Sequence, residues 1–247
     1  MRKLFIFVSF VFVGLIVSAQ TIFVGPKLGI DIGSPIPFSN IPQGAKGEPK
    51  MGFNVGAFFT YAFNDIHSIS YEAGLVRKHT VFETPLDSME YVERIQHPTL
   101  PDVIFEVDTW FTGKASGAFD NYYFEQSLQH NFNVNTRLKV SYGLYYAILQ
   151  KSNTYAVGVG TVGYDPEIIT QELDYSSNMR RVDYGVKAGV LVKATERTDL
   201  GLKLNYGIKS VFVDSFTMID YSVNNTFLEL ALYYKFNVLK NLTEKKI

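Results

Sequence analysis

Residues 24–33 read Val24-Gly25-Pro26-Lys27-Leu28-Gly29-Ile30-Asp31-Ile32-Gly33, and this alternation predicts a β-strand. The even-numbered positions are apolar, whereas the odd-numbered positions are glycine or charged. The pattern recurs at 182–190 and 200–207, and no predicted helix could cover the apolar faces. A sheet with lipid outside and a polar interior fits these two faces better than a water-facing sheet does.

The composition agrees with one large all-β domain. The chain has 247 residues, of which 47% are hydrophobic and 15% aromatic, with 20 Phe and 16 Tyr. Both aromatic residues favour strands, and Tyr also favours membrane interfaces. The lack of cysteine excludes disulfides, thiolate metal sites and a lipid-modified cysteine.

The first 20 residues have the form of a secretory signal peptide. Arg2 and Lys3 precede an apolar run from Leu4 to Val17, and Val17-Ser18-Ala19 has the small residues that signal peptidase needs. A membrane anchor is the alternative, but the run is short for one. Without Arg2 and Lys3, 21 basic residues face 24 acidic ones, so we expect no nucleic-acid partner.

The rest of the chain predicts eight strands with alternating short and long connections. The strands are expected at about 22–33, 51–63, 67–79, 121–133, 137–150, 180–195, 199–212 and 226–238. Three connections are short, at 64–66, 134–136 and 195–198, and contain the Asn, Asp or Thr that tight turns favour. The other connections are long, at about 34–50, 80–120, 151–179 and 213–225.

This asymmetry is typical of bacterial outer-membrane barrels, which have short periplasmic turns and long outer loops. We therefore predict an all-β fold, an eight-stranded antiparallel up-and-down transmembrane β-barrel over residues 21–239. A short periplasmic tail would follow at 240–247. An even number of strands places both ends of the barrel on the periplasmic side, which agrees with the short turns there.

Strand four has an ambiguous outward face. If Phe124, Leu128 and Phe132 face lipid, then Gln126 and His130 do so as well. Either a bulge shifts the register, or the two polar side chains lie near a membrane interface, where the cost is smaller.

The inward face is predicted to be an ionic network. An eight-stranded barrel is just wide enough for its side chains to fill it, so buried charges must pair. The expected members are Lys27, Asp31, Glu72, Glu125, Lys139, Asp183, Lys187, Lys203, Lys209, Glu229 and Lys235. A salt-bridged plug is one interpretation, and a narrow proton or ion path is the other.

The chain resembles the OmpA-like, PorT-type β-barrel domain of outer-membrane proteins, common in Bacteroidota. The resemblance rests on Val17-Ser18-Ala19-Gln20, Gly25-Pro26-Lys27-Leu28-Gly29, inward Glu125 in strand four, and the closing strand Leu228 to Phe236. It implies a barrel over nearly the whole mature chain. Such families include a component linked to protein secretion and adhesin-like barrels. The tail is too short for the peptidoglycan-binding domain of OmpA.

Catalytic, cofactor and metal signatures are weak. Gly158-Val159-Gly160-Thr161-Val162-Gly163 matches a dinucleotide fingerprint, but it lacks the strand–helix context. No two of the four histidines have metal-ligand spacing. A lipid hydrolase could combine His79, Asp120 and a serine at the outer rim, such as Ser116, Ser152 or Ser210. We expect no enzyme, no cofactor and no metal.

The long connection at 80–120 is the best candidate for a functional surface. Its second half alternates like a strand, which indicates a hairpin above the membrane. The possible binding residues are Phe105, Trp110 and Phe111, since exposed aromatics on long loops often bind partners. Alternatively, Trp110 and Phe111 pack inward and cap the barrel mouth against Tyr155 or Phe216. The long connection at 155–178 is a candidate to pack beside it.

The leading functional hypothesis is a small outer-membrane barrel, exported through a cleaved signal peptide. It would have a structural or binding role, presenting its outer loops to an unknown protein or glycan. The expected partners are outer-membrane lipid and this unknown protein or glycan, with no nucleic acid, and the protein is expected to be a monomer. The alternatives are a subunit of an envelope or secretion assembly and a lipid-modifying enzyme. A soluble lipocalin-like carrier would keep its apolar residues inside, so the inverted faces argue against it.

Overall fold

The computed structural model describes residues 21–37, 43–97, 99–100, 102, 104–216 and 221–238. The predicted signal peptide at 1–20 and tail at 240–247 lie outside these residues. In the described part of the chain, no helix is long and apolar enough to cross a membrane. The strands are β1 (Thr21–Pro37), β2 (Lys46–Ala62), β3 (His67–Gln96), β4 (Ile104–Asn133), β5 (Leu138–Ser152), β6 (Tyr155–Val162), β7 (Ile169–Asp174), β8 (Val182–Lys193), β9 (Thr198–Ser210), β10 (Val223–Tyr234) and β11 (Phe236–Asn237).

All strands belong to one antiparallel sheet. Eight of them pair in the order β1-β2-β3-β4-β5-β8-β9-β10, and β10 pairs with β1, so the path returns to its start. We call these eight strands the ring. The expectation of eight strands in total was too low, because the described residues contain eleven. The Gly-rich segment at 155–162 pairs with β4 and then with β7, which turns part of a predicted loop into a hairpin.

The second difference is the length of β3 and β4, which have 30 residues each. Most of the connection predicted at 80–120 is therefore strand. β2 pairs with β3 only as far as Glu83, and beyond it β3 pairs with β4 alone. Residues 84–96, 104–118, β6 and β7 form a four-stranded extension, the protruding sheet. Thirteen residues of strand span roughly 40 Å.

The short turns lie at one end of the ring, at 63–66, 134–137 and 194–197. Asn64 and Asn135 shape two of them in the same way. The Asn64 side-chain oxygen accepts hydrogen bonds from the backbone N–H groups of Ile66 and His67, at 2.9 and 2.8 Å. Asn135 accepts from two N–H groups at the same offsets, 2.8 and 2.9 Å away. Such Asx turns satisfy backbone donors that a tight reversal leaves free.

The outward face of the ring is apolar and exposed, and β4 keeps its alternation without a bulge near Gln126 and His130. Both polar side chains do lie on the outward face, but each has a neighbour on β3. The Tyr71 hydroxyl donates to the Gln126 carbonyl oxygen at 2.5 Å. His67 Nδ1 lies 3.2 Å from His130 Nε2. Cross-strand pairing, not a register shift, accounts for these two residues.

Candidate functional site: the ring interior, the protruding sheet and the mouth

The middle of the ring interior is an ionic layer of lysines and glutamates. Its members, contributed by six strands, are Lys27, Glu72, Glu125, Lys187, Lys203 and Glu229. The Glu229 carboxylate oxygens lie 2.8 Å from Lys27 Nζ and 3.0 Å from Lys187 Nζ. Lys187 also lies 2.7 Å from Glu125, and Lys27 lies 2.9 Å from Glu72. Lys27 and Lys187 therefore each bridge carboxylates of different strands, and Lys203 binds Glu72, which offsets the cost of burying these charges.

A second layer lies between this one and the open end of the ring. Lys78 Nζ is 3.0 Å from an Asp183 carboxylate oxygen, and the Asn225 amide donates to the same oxygen at 2.8 Å. The Lys78 ammonium also lies 5.0 Å from the ring centroids of Tyr123 and Tyr145. Aromatic faces attract a cation and exclude water from it. This layer closes the interior toward the long connections.

A third cluster lies near the short turns. Asp199 accepts from Lys235 at 2.7 Å and lies 3.4 Å from Lys139. Lys139 is only partly buried, because its side chain is 26% exposed. The charged residues of the interior are thus stacked in three levels along the ring.

Two predicted interior residues behave differently from the rest. Asp31 is fully buried opposite Glu229, and its carboxylate oxygens have no hydrogen-bond partner within the described residues. Lys209 was placed wrongly, since its side chain is exposed. The pairing of β9 with β10 shifts between Tyr206 and Ser210, and this irregularity breaks the alternation just before Lys209.

Sequence analysis missed Lys78 and Asp199 in the interior. Lys78 stands six residues after inward-facing Glu72, and Asp199 stands four before inward-facing Lys203. Both therefore share the face of a residue that was assigned inward. Lys78 lies between Arg77 and His79 at the end of a predicted strand, and Asp199 directly follows a predicted turn. Neither was therefore assigned a face of the sheet. A strict period of two, extended along each strand, would have found both.

The interior leaves little open space. Among the charged side chains, two pockets have volumes of about 20 and 10 Å³. A cavity of this size holds about one water molecule. The layers therefore form a plug across the ring.

The plug predicts that the protein does not conduct ions. Purified protein reconstituted into a planar lipid bilayer should give a steady current indistinguishable from that of the bare bilayer, far below that of a water-filled barrel. A known porin inserted by the same procedure is the control. Reproducible unitary steps from the wild-type protein would contradict the plug and favour the ion path.

The three aromatic residues proposed for a loop surface do not form one surface. Phe105 and Trp110 lie on opposite faces of β4, since they are five residues apart in an unbroken strand. Phe105 is 51% exposed. Trp110 is half-buried with its ring edge-on to Tyr164, 4.9 Å between centroids. Phe111 is buried against Tyr91, so self-packing describes Trp110 and Phe111, although with partners other than those predicted.

The protruding sheet has two open edges. Within the described residues, β7 pairs only with β6, and residues 84–96 of β3 pair only with β4. Unpaired backbone groups along such edges can accept another strand. Apolar side chains are exposed near the edges and the tip, namely Val92, Ile95, Ile104, Phe105, Val107 and Val159.

An apolar cavity of about 400 Å³ opens at the mouth of the ring, where the protruding sheet begins. It lies over a buried cluster that includes Phe119, Phe212 and Val223. At its side, Arg180 binds Asp214. The hydrogen bond from the Arg180 guanidinium lowers the pKa of Asp214 from its ordinary value. The carboxylate stays ionised at neutral pH and ties residues 213–216 to the segment before β8.

The remaining candidate chemistry is not assembled. Residues 158–162 lie within β6, and the next element along the chain is the strand β7, so the strand–helix context of a dinucleotide site is missing there. Asp120 faces His79 across the strands, but its carboxylate is bound by Arg77 at 2.7 and 3.0 Å. Among the described residues, no three His, Cys, Asp or Glu side chains are grouped to hold a metal ion.

Comparison with known structures finds distant likeness. The attachment invasion locus protein Ail of Yersinia pestis has 10% identity and a TM-score of 0.40, over 88% of this chain and 100% of that one. OprG of Pseudomonas aeruginosa has 12% identity and a TM-score of 0.39, over 88% and 97%. Outer membrane protein W of E. coli has 11% identity and a TM-score of 0.33, over 88% and 98%. Likeness at this level carries no functional argument.

None of the curated proteins matches the chain. The family described as outer membrane protein beta-barrel domain matches residues 18–213, which is most of the sequence. The match begins just before β1 and includes all of the protruding sheet. The chain therefore belongs to the outer membrane protein beta-barrel domain family, and the outer membrane is its location.

Proposed function

We propose that this protein is a plugged, eight-stranded transmembrane barrel of the PorT-like type that binds another protein through its protruding sheet. Residues 1–20 act as a cleaved signal peptide, the short turns face the periplasm, and the protruding sheet faces outward. The proposed role is non-enzymatic. The observation that carries it is the pair of open edges on β3 and β7.

The edges favour a protein partner over a glycan. An added strand forms main-chain hydrogen bonds along an open edge, and neighbouring apolar pockets take its alternate side chains. Val92 and Ile95 are exposed on β3, whose residues 84–96 form one of the edges. Exposed apolar side chains beside an open edge would promote aggregation if they had no partner. A sugar surface would make no use of the unpaired backbone groups.

The plug supports binding over transport. The interior is filled by three levels of paired charges, so the features left for interaction lie at the outer end. A secretion or envelope subunit would instead be expected to use its wall or its periplasmic side. The two roles therefore predict contacts at different residues.

Photo-crosslinking in intact cells tests the proposal. A benzoylphenylalanine residue at Ile104 or Val159 should give protein adducts, because both positions are exposed on the protruding sheet. Leu144 on the outward wall and Arg137 in a short turn are the matched control positions. Replacing residues 89–109 with an Asn-Gly turn should lower the yield of the Val159 adduct at least tenfold while the ring still folds.

Heat-dependent gel mobility checks that every variant keeps a closed barrel. Adducts from Leu144 or Arg137 alone would overturn outward binding and support the assembly role. An unchanged Val159 adduct in the truncated variant would show that the open edge of β3 is not needed.

A further inference from the structure

We propose that the mouth cavity is a binding site for a small, uncharged, ring-bearing apolar molecule. The cavity is closed at its inner end, so a bound molecule cannot pass through the ring. The cavity lies on the inner side of the mouth and shares Thr84, Leu86 and Met89 with the open edge of β3, whereas the proposed protein binding also uses β7 and the exposed tip. Ala156→Phe and Phe216→Ala change the cavity without changing either open edge, so the two functions can fail independently.

The size and lining of the cavity define the ligand. Its volume of about 400 Å³ lies in the range of small-molecule sites. The walls are mainly apolar, and six aromatic rings line them: Phe82, Phe119, Tyr175, Phe212, Phe216 and Tyr221. Such a lining favours a molecule with one to three aromatic rings, since offset and edge-on ring contacts add to the gain from burial.

The aromatic walls hold one another in place. Phe119 lies between Phe82 and Phe212, with ring centroids at 4.9 and 5.7 Å. Phe212 stacks on Phe216 at 4.3 Å with an interplanar angle of 19°. Because these contacts exist without a ligand, little side-chain entropy remains to be lost on binding.

The charges at the rim select against ions. Lys46 and Glu83 both line the cavity and face each other directly across β2 and β3. Glu83 also lies 3.8 Å from Lys114 on β4. The two charged residues that line the cavity, Lys46 and Glu83, are opposite in sign, and the aromatic walls provide no counter-ion for a charged ligand.

The floor of the cavity is closed by the plug. Two residues further into the ring than Phe119 and Val223 lie Asn121 and Asn225, both buried. Asn225 is hydrogen-bonded to Asp183, which also binds Lys78. A molecule that enters from outside meets this layer and cannot continue to the periplasm. The site therefore captures its ligand and does not conduct it.

The sole tryptophan makes the site measurable in detergent. Trp110 lies five residues from Ala115, a lining residue, which is about 17 Å along the strand. 1-N-phenylnaphthylamine, an uncharged apolar probe, should accept energy from Trp110 when it occupies the cavity. Saturable energy transfer at roughly one probe per protein is the expected result.

Three variants separate the cavity from the micelle. Ala156→Phe fills the cavity and should abolish the saturable transfer, because Ala156 is a buried lining residue. Phe216→Ala removes one wall and should weaken binding about three- to tenfold. Ala194→Phe makes the same change as Ala156→Phe in an exposed short turn and should leave binding unaltered. Heat-dependent mobility confirms folding, and Phe216→Ala keeps the test valid if Ala156→Phe misfolds.

Competition identifies the chemistry of the ligand. Naphthalene should displace the probe, whereas n-dodecane should not. Displacement by dodecane alone would assign the cavity to lipid chains and overturn the proposal. Energy transfer that does not saturate, or that is equal in all variants, would show that the probe lies in the micelle and would overturn it as well.

Discussion

Glu229→Leu should lower the free energy of unfolding by about 3–5 kcal/mol, the usual cost of removing one partner from a buried ion pair. Glu229 is fully buried and accepts from Lys27 and Lys187 at 2.8 and 3.0 Å. The Asn54 amide and the Tyr233 hydroxyl donate to it as well, at 2.8 and 3.1 Å. Leucine would leave two ammonium groups short of a carboxylate in a space that holds almost no water. Urea unfolding in detergent micelles, followed by heat-dependent mobility, measures the loss.

Glu196→Gln is the matched control. Glu196 pairs with Lys193 in a short turn, and its side chain is 89% exposed. Water already solvates this pair, so the unfolding curve should coincide with that of the wild type. A Glu229→Leu protein within 1 kcal/mol of wild type would mean that Glu72 and Glu125 alone balance the lysines of the layer.

Gly143→Val should prevent most of the protein from folding, with a loss of at least about 3 kcal/mol in any folded fraction. Gly143 faces Gln129 across β5 and β4. A Cβ atom at this position would lie 2.0 Å from the Leu128 carbonyl oxygen and 2.6 Å from Gln129 Cα. These are backbone atoms of a ring strand, so relief requires the two strands to separate. The heat-shifted fraction after refolding into micelles is the measurement.

Gly47→Val tests whether the loss of folding depends on where the glycine lies and not simply on replacing a glycine with valine. At Gly47 the nearest atom to an added Cβ is the Ser34 hydroxyl oxygen at 3.1 Å, which can rotate away. The refolded fraction should match that of the wild type, since valine also suits a strand. Equal yields for the two variants would show that the ring strands can spread to accept a side chain.

The ring strands were predictable because their pattern is local. Alternation placed eight strands within a few residues of β1, β2, β5, β8, β9, β10 and the ring portions of β3 and β4. The inward assignment of Lys27, Glu72 and Lys187 followed from the same period of two. The error at Lys209 arose because a break in pairing with β10 depends on the neighbouring strand, which no single-strand pattern contains.

The outer part of the molecule was harder to predict. Residues 155–162 read as a glycine-rich loop, yet they pair with residues 111–118 of β4. That pairing joins segments about 45 residues apart in sequence and turns two predicted loops into one sheet. The sequence suggested one exposed surface formed by Phe105, Trp110 and Phe111. The twofold period of the strand places Phe105 and Trp110 on opposite faces, and Phe111 is buried and so cannot contribute to an exposed surface.

The face of most strand residues follows from the local pattern alone, since side chains alternate wherever a strand is regular. A charged interior inside an apolar wall follows from the same alternation. Which charges meet depends instead on how the strands assemble into the closed ring. Glu229 is 42 residues from Lys187 and much farther from Lys27, and all three converge only when the ring closes. The mouth cavity has the same origin, because its aromatic walls come from segments that pairing brings together. Alternation is a property of one strand, whereas contact across a closed sheet depends on register and closure.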